Sequence, residues 1–68
     1  RGLTMRATVI EFDAHVGLGR LRTDDGHDVM FHCAEIADGS RLIEVGAPVD
    51  CEIREKFGRP EAFAIRGA

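Results

Sequence analysis

The sequence lacks three features that would assign it directly to a functional class. No apolar run approaches the roughly 20 residues that a helix needs to cross a bilayer, and the chain does not open with a signal-peptide pattern. Basic residues are not in excess, since nine Lys and Arg oppose twelve Asp and Glu for a net charge of −3. This balance argues against high-affinity phosphate binding, because nucleic-acid modules usually carry a basic surface. We therefore expect a soluble cytoplasmic protein without a membrane partner.

Spacings typical of catalytic and metal sites are also missing. Cys33 and Cys51 lie in separate segments without a C-x-x-C spacing, which favours two buried free thiols over a disulfide. His27 and His32 are five positions apart and would face opposite sides of a strand, whereas a closed metal site needs four convergent ligands. No Ser-His-Asp set, phosphate loop or carboxylate pair stands out. The sequence predicts neither an enzyme nor a cofactor or metal site.

The clearest pattern that is present is a β-hairpin. Alternating runs over 16–23 and 27–32 flank Asp24-Asp25-Gly26, a strong hairpin signal. Gly17 and Gly19 would both point to one side of the first strand, which favours close packing or a bend there. The opposite side then carries the side chains on which we expect function to depend: Leu18, Arg20, Arg22, Met30 and His32.

Three further strands complete the prediction. Alternation indicates strands over 5–13, 49–54 and 62–66, and a single helical turn is expected over 33–39. Phe31 and Phe63 fall at positions predicted to face inward. Sixty-eight residues form one small domain, in which only about 60% of the chain's surface is buried on folding, so a large internal active-site cavity is not expected. Five short strands without a long helix predict a small all-β barrel or sandwich.

Five segments, taken in order, match the motifs of one known family. They are Val9–Asp13 for V-K-W-F-N, Val16–Leu21 for K-G-F-G-F-I, Asp24–Gly26 for D-D-G, Val29–Ile36 for V-F-V-H-F-S-A-I, and Val45–Val49 for E-G-x-x-V. Through them Met5 to Arg66 resembles a cold-shock domain. The resemblance implies a five-stranded antiparallel OB-fold barrel over residues 5–67, with 1–4 as an N-terminal extension. It also implies binding of single-stranded RNA or DNA without strong sequence preference.

Most of the aromatic rings on which that family stacks bases are replaced. The family's aromatic positions hold Glu11, Leu18, Arg20, Met30 and Cys33, and only Phe12 and His32 are retained from the stacking set. Each base–aromatic stack contributes about 1–3 kcal/mol, so losing four or five removes roughly 4 kcal/mol or more. That loss corresponds to about three orders of magnitude in affinity. Any nucleic-acid binding by this face alone is therefore predicted to be weak.

Two functions remain open. The first is weak binding of single-stranded nucleic acid, with the candidate residues Phe12, Leu18, Arg20, Arg22, Met30, His32 and Lys56. The second is a protein-interaction or self-association module on a barrel that has lost nucleic-acid binding, its patch built on Leu18, Met30 and Phe12. A basic stripe of Arg20 and Arg22 favours the first function. The opposing interpretation is a solvated, ion-paired patch of these arginines with Glu11.

One aromatic residue outside this set is expected at the surface. Phe57 lies in the predicted turn before the last strand, between Lys56 and Arg59 in the sequence. We expect it to be the most exposed ring of the chain, with positive charge beside it.

Overall fold

A computed structural model describes residues 3–37 and 43–68, which form a closed barrel of five strands. The strands are β1 (Leu3–Asp13), β2 (Leu18–Thr23), β3 (Asp28–His32), β4 (Pro48–Lys56) and β5 (Arg59–Gly67), with a 3₁₀ turn at Cys33–Glu35. Neighbours around the barrel follow the order β1-β2-β3-β5-β4, and β4 pairs with β1 to close it. The predicted all-β OB-fold barrel is confirmed. Its pairs are antiparallel except β3 with β5, which is parallel.

The chain enters the sheet earlier than the sequence indicated. Leu3 and Thr4, which we assigned to an N-terminal extension, lie in β1 opposite Ile53 and Glu52 of β4. Residues 1–2 of that extension lie outside the described residues. The predicted helical turn is present as the 3₁₀ turn, while its expected end at residues 38–39 also falls outside the described part of the chain.

The core is formed by the inward side of every strand. Its largest fully buried side chains include Phe31, Leu21 and Ile65, each of which contributes about 1.5–3 kcal/mol by leaving water. Cys33 and Cys51 are buried free thiols, and burial raises the pKa of the Cys51 thiol. Thiolate formation at Cys51 is thereby disfavoured. Among the described residues, no helix has the length and apolar character needed to cross a bilayer.

A β-bulge in β1 decides which side chains reach the surface. The register with β2 shifts between Val9 and Glu11, so that Ile10 is an extra residue. Without the bulge, continued alternation from buried Val9 would place Glu11 inside. With it, Glu11 points outward and the Phe12 ring packs on Phe31, with 5.9 Å between ring centroids and 5° between planes.

A second bulge lies in β5. Two residues of β5, Ala64 and Ile65, oppose the single residue Cys51 of β4, and Ala64 has a φ of 52°. Ile65 is buried, whereas Phe63 is only half-buried. The centroid of its ring lies 4.8 Å from the Arg54 guanidinium carbon. The prediction that Phe63 faces the interior is therefore wrong, because the bulge breaks the alternation on which it depended.

Gly17 and Gly19 allow the core to pack tightly beneath the outer face of β2. A Cβ at Gly19 would lie 2.4 Å from the Phe31 ring and 2.8 Å from the backbone oxygen of Glu11. Gly17 precedes β2 in a turn with a φ of 73°, rather than lying in the strand as expected. Its Cβ would still approach Cys33, at 2.8 Å from the sulfur, so both glycines lie where a side chain would not fit.

Candidate nucleic-acid interface

We use the name sheet face for the outer surface of β1–β3 formed by Glu11, Asp13, Leu18, Arg20, Met30 and His32. Strand register places Glu11, Arg20 and Met30 in one row across the sheet. The neighbouring row consists of Asp13, Leu18 and His32. The prediction that Leu18, Arg20, Arg22, Met30 and His32 share one side is confirmed by this register. The residues between them, Gly19 and Phe31, are buried on the other side.

The arginines of this region are paired with carboxylates. Arg20 donates to Glu11 Oε1 from Nη2 at 2.5 Å and from Nε at 3.1 Å. Arg22 binds Asp28 through two contacts of 2.8 and 3.1 Å, which raises the pKa of Arg22 and lowers the pKa of Asp28. The two arginines thus form the solvated, ion-paired patch that was the alternative to a basic stripe. Their positive charge is compensated within the protein.

The centre of the sheet face is apolar. Leu18 is 43% exposed and Met30 45% exposed, and with Phe12 they line a shallow depression. One face of the Phe12 ring is covered by Phe31, so only its remaining surface is available to a ligand. Glu11 and Asp13 also line this depression, which makes its β1 side acidic.

A groove of about 520 Å³ lies on the opposite side of Met30, between β3 and the β4–β5 hairpin. It opens because β3 and β5 pair at a single position, Met30 with Glu61. Its lining residues include Leu18, Met30, His32, Lys56, Arg59 and Glu61. The groove brings together four of the predicted binding residues, Lys56 among them. Arg20 and Arg22 do not line it.

His32 is held in place at one end of the groove. Its Nδ1 accepts a hydrogen bond from the backbone N–H of Ala34 at 3.1 Å and so caps the 3₁₀ turn. Because Nδ1 accepts, the neutral ring carries its proton on Nε2. The exposed ring can therefore stack with a fixed orientation and donate one hydrogen bond from Nε2.

The hairpin tip, residues 56–59, has a different character from the sheet face. Phe57 and Gly58 connect β4 to β5 with φ values of 52° and 78°, the signs of a type I′ turn. The Phe57 ring is 95% exposed, which confirms its predicted exposure. Lys56 and Arg59 lie directly opposite each other, and neither makes an ion pair with the residues described.

Phe57 and Arg59 were not among the predicted binding residues, although the sequence carried a signal for them. An aromatic residue occupies the first position of a two-residue turn that favours Asn, Asp or Gly, with a cation on each side. The family motifs point to stacking residues on the sheet face, and this turn lies outside it.

Comparison with solved structures agrees with the architecture. The chain is similar to Drosophila Unr CSD456, a cold-shock domain structure, with a TM-score of 0.82 and 24% sequence identity over 98% of this chain. It covers 27% of that longer chain. No protein-family model and no curated protein matches the sequence. At this identity the similarity establishes a cold-shock-type barrel fold. It does not identify a ligand for this chain.

Proposed function

We propose that this protein binds single-stranded nucleic acid weakly, in the groove between β3 and the β4–β5 hairpin. The observation that carries the proposal is the meeting of an apolar floor, Leu18 and Met30, with Lys56, a cation that has no carboxylate partner in the described chain. Single-stranded nucleic acids combine flat apolar bases with phosphates. A groove with an apolar floor and a free cation on its wall suits both parts of that ligand.

The groove residues have distinct roles in this proposal. Leu18 and Met30 contact base faces, while His32 stacks or donates from Nε2 to a base or phosphate oxygen. Lys56 contacts phosphate. Arg20 contributes little, because a phosphate must compete with Glu11 for its guanidinium.

Weak binding follows from the small number of free cations and rings. Each phosphate contact on a single strand contributes about −0.7 to the slope of log affinity against log salt, so Lys56 with Arg59 gives a slope of about −1.4. With so few contacts and none specific to one base, we expect an affinity in the range of roughly 10⁻⁴ to 10⁻⁶ M that is typical of nonspecific binding.

Titration of labelled oligo-dT and oligo-U at low and physiological salt tests the proposal. We expect binding in low salt that weakens as salt rises, and we expect Lys56→Gln to reduce both the affinity and the salt slope. Arg66→Gln is the matched control, because Arg66 is exposed, carries the same charge and does not line the groove. Absence of binding at high micromolar protein in low salt would contradict the proposal.

The paired state of Arg20 and Arg22 favours a second candidate, a protein-interaction or self-association module that uses Leu18 and Met30. A neutral surface with exposed apolar side chains at its centre suits a protein partner or a second copy. Sedimentation of the wild type and of Leu18→Glu distinguishes the two: concentration-dependent association that the substitution abolishes supports this candidate. A monomer at all concentrations, with oligonucleotide binding weakened in Leu18→Glu, contradicts it.

A further inference from the structure

The hairpin tip combines three features that oppose its own folding. Phe57 has a left-handed backbone conformation that a Cβ disfavours. Lys56 lies across from Arg59, and like charges directly opposite each other destabilise a strand pair. The ring of Phe57 is 95% exposed, so almost none of its apolar surface is removed from water. Nothing in the fold described accounts for this choice of residues.

Ala64 has the same backbone strain as Phe57, but at Ala64 the fold accounts for it. It is the other non-glycine residue with a positive φ in the described chain, also 52°. Ala64 is half-buried, its bulge permits the neighbouring Ile65 to reach the core, and its N–H donates to the Glu35 carboxylate at 3.3 Å. The strain at Ala64 therefore serves packing. The strain at Phe57 serves no packing, and strained backbone conformations cluster at functional positions.

We propose that Phe57 is a base-stacking residue and that the bound strand leaves the groove over the hairpin tip. The inference rests on the proposed nucleic-acid function and assigns it a further contact. A base stacks on the exposed ring while flanking phosphates contact Lys56 and Arg59. Because every base has a π-face, stacking on phenylalanine adds affinity without adding sequence preference.

Charge selects this ligand over an apolar protein surface. A nucleotide brings a π-face and an anion together, which matches a ring placed between two cations. An apolar protein surface would cover the ring and leave Lys56 and Arg59 without counterions in the interface.

Phe57→Asn tests the inference because it separates stability from binding. Asparagine is favoured in this turn, so the thermal midpoint should stay the same or rise. The affinity for oligo-dT should fall by about 5- to 150-fold, the value of one base stack. A result in which the substitution lowers the thermal midpoint would show that the ring stabilises the fold and would overturn the inference.

Phe57→Trp gives a direct readout, because the chain contains no other tryptophan. Stacking of a base on the introduced indole should quench its fluorescence as oligo-dT is added. Val45→Trp is the matched control, since Val45 is also an exposed apolar residue and does not line the groove. Its fluorescence should not change.

The outcomes separate this inference from the proposed function. If the wild type binds oligo-dT and Phe57→Asn binds equally well, the inference is wrong and the proposed function stands. If the wild type does not bind, both are contradicted. If Phe57→Asn instead abolishes self-association without altering oligonucleotide affinity, the ring contacts a second copy, which also overturns the inference.

Discussion

The sheet face and the hairpin tip border the same groove, yet they hold their cations in opposite ways. On the β1–β3 side, Arg20 and Arg22 each bind a carboxylate on a neighbouring strand, with shortest N–O distances of 2.5 and 2.8 Å. At the tip, Lys56 faces Arg59 instead, and neither has an acidic partner among the residues described. Opposite charges across strands stabilise a sheet and like charges destabilise it. Of these two regions, only the tip has cations without a carboxylate partner among the residues described, and these cations are available to an external anion.

One barrel can therefore present different surface chemistry on two neighbouring sides. The fold depends on the inward side chains and on the close approach at Gly19, and the outward positions of the same strands are free to vary. A sheet face whose arginines are neutralised offers an external ligand its apolar side chains and little net positive charge. The free cations and the exposed ring lie together at the other border of the groove.

The largest effect is expected for Gly19→Ala, which disrupts the packing beneath the sheet face. The added methyl would meet the Phe31 ring at 2.4 Å and a backbone oxygen at 2.8 Å, and Phe31 cannot turn away because it is buried against Phe12. We expect a loss of about 3 kcal/mol in unfolding free energy, near the upper end of overpacking costs. The thermal midpoint should then fall by about 12–24 °C.

The control for this prediction is Gly67→Ala, since a Cβ at Gly67 meets nothing within 4 Å. Its unfolding free energy should change by less than about 0.5 kcal/mol. Equal thermal midpoints for the two variants would show that the close approach at Gly19 does not support the sheet face.

The next effect is a gain of binding from Met30→Phe, which places an aromatic ring on the sheet face. Met30 is 45% exposed and lines both the groove and the neighbouring depression, so a ring there is accessible to a base. One added stack should tighten oligo-dT binding about tenfold, within the range for a base on an aromatic residue. Val45→Phe adds the same ring away from the groove. A gain in affinity of equal size there would show that the effect of Met30→Phe does not depend on the position of the ring.

Much of this architecture can be predicted from the sequence, because strands and turns leave local patterns. Period-two alternation indicates each strand, and Asp24-Asp25-Gly26 marks the hairpin. Bulges leave no such pattern, since they depend on how two distant strands align. The bulge at Ala64 is why Phe63 was expected inside.

The candidate site could be predicted only in part, for a related reason. The pair of Arg20 with Glu11 depends on the β1–β2 register, which includes a bulge, so the sequence left the basic stripe and the ion-paired patch both open. The groove depends on the single contact of β3 with β5 at Met30 and Glu61, two segments far apart in the chain. By contrast, the Phe57-Gly58 turn and its flanking cations were visible in the sequence.

A smaller effect should distinguish the paired arginine from the free lysine. Glu11→Gln releases Arg20 from its carboxylate, so we expect oligo-dT affinity to rise about 2- to 5-fold, in line with the small energy of an exposed ion pair. The salt slope should steepen by about 0.7 as one more phosphate contact becomes available. Arg20→Ala in the wild type should have less effect than Lys56→Gln, and the reverse order would show that the sheet face supplies the phosphate contact.

The smallest effect concerns the acid dependence of stability, which tests the pairing of Arg22 directly. The hydrogen bond from Arg22 holds the pKa of Asp28 below its usual value, so the folded state favours the charged carboxylate. The resulting stabilisation is present above the unfolded pKa of about 3.9 and is lost as pH falls through the lower, folded value. Arg22→Gln should therefore be slightly less stable than the wild type to urea near neutral pH, and the difference should shrink towards zero below about pH 3. A difference that stays constant with pH would show that Arg22 acts through packing rather than charge, and the contrast between paired arginines on β2 and free cations at the hairpin tip would then fail for Arg22.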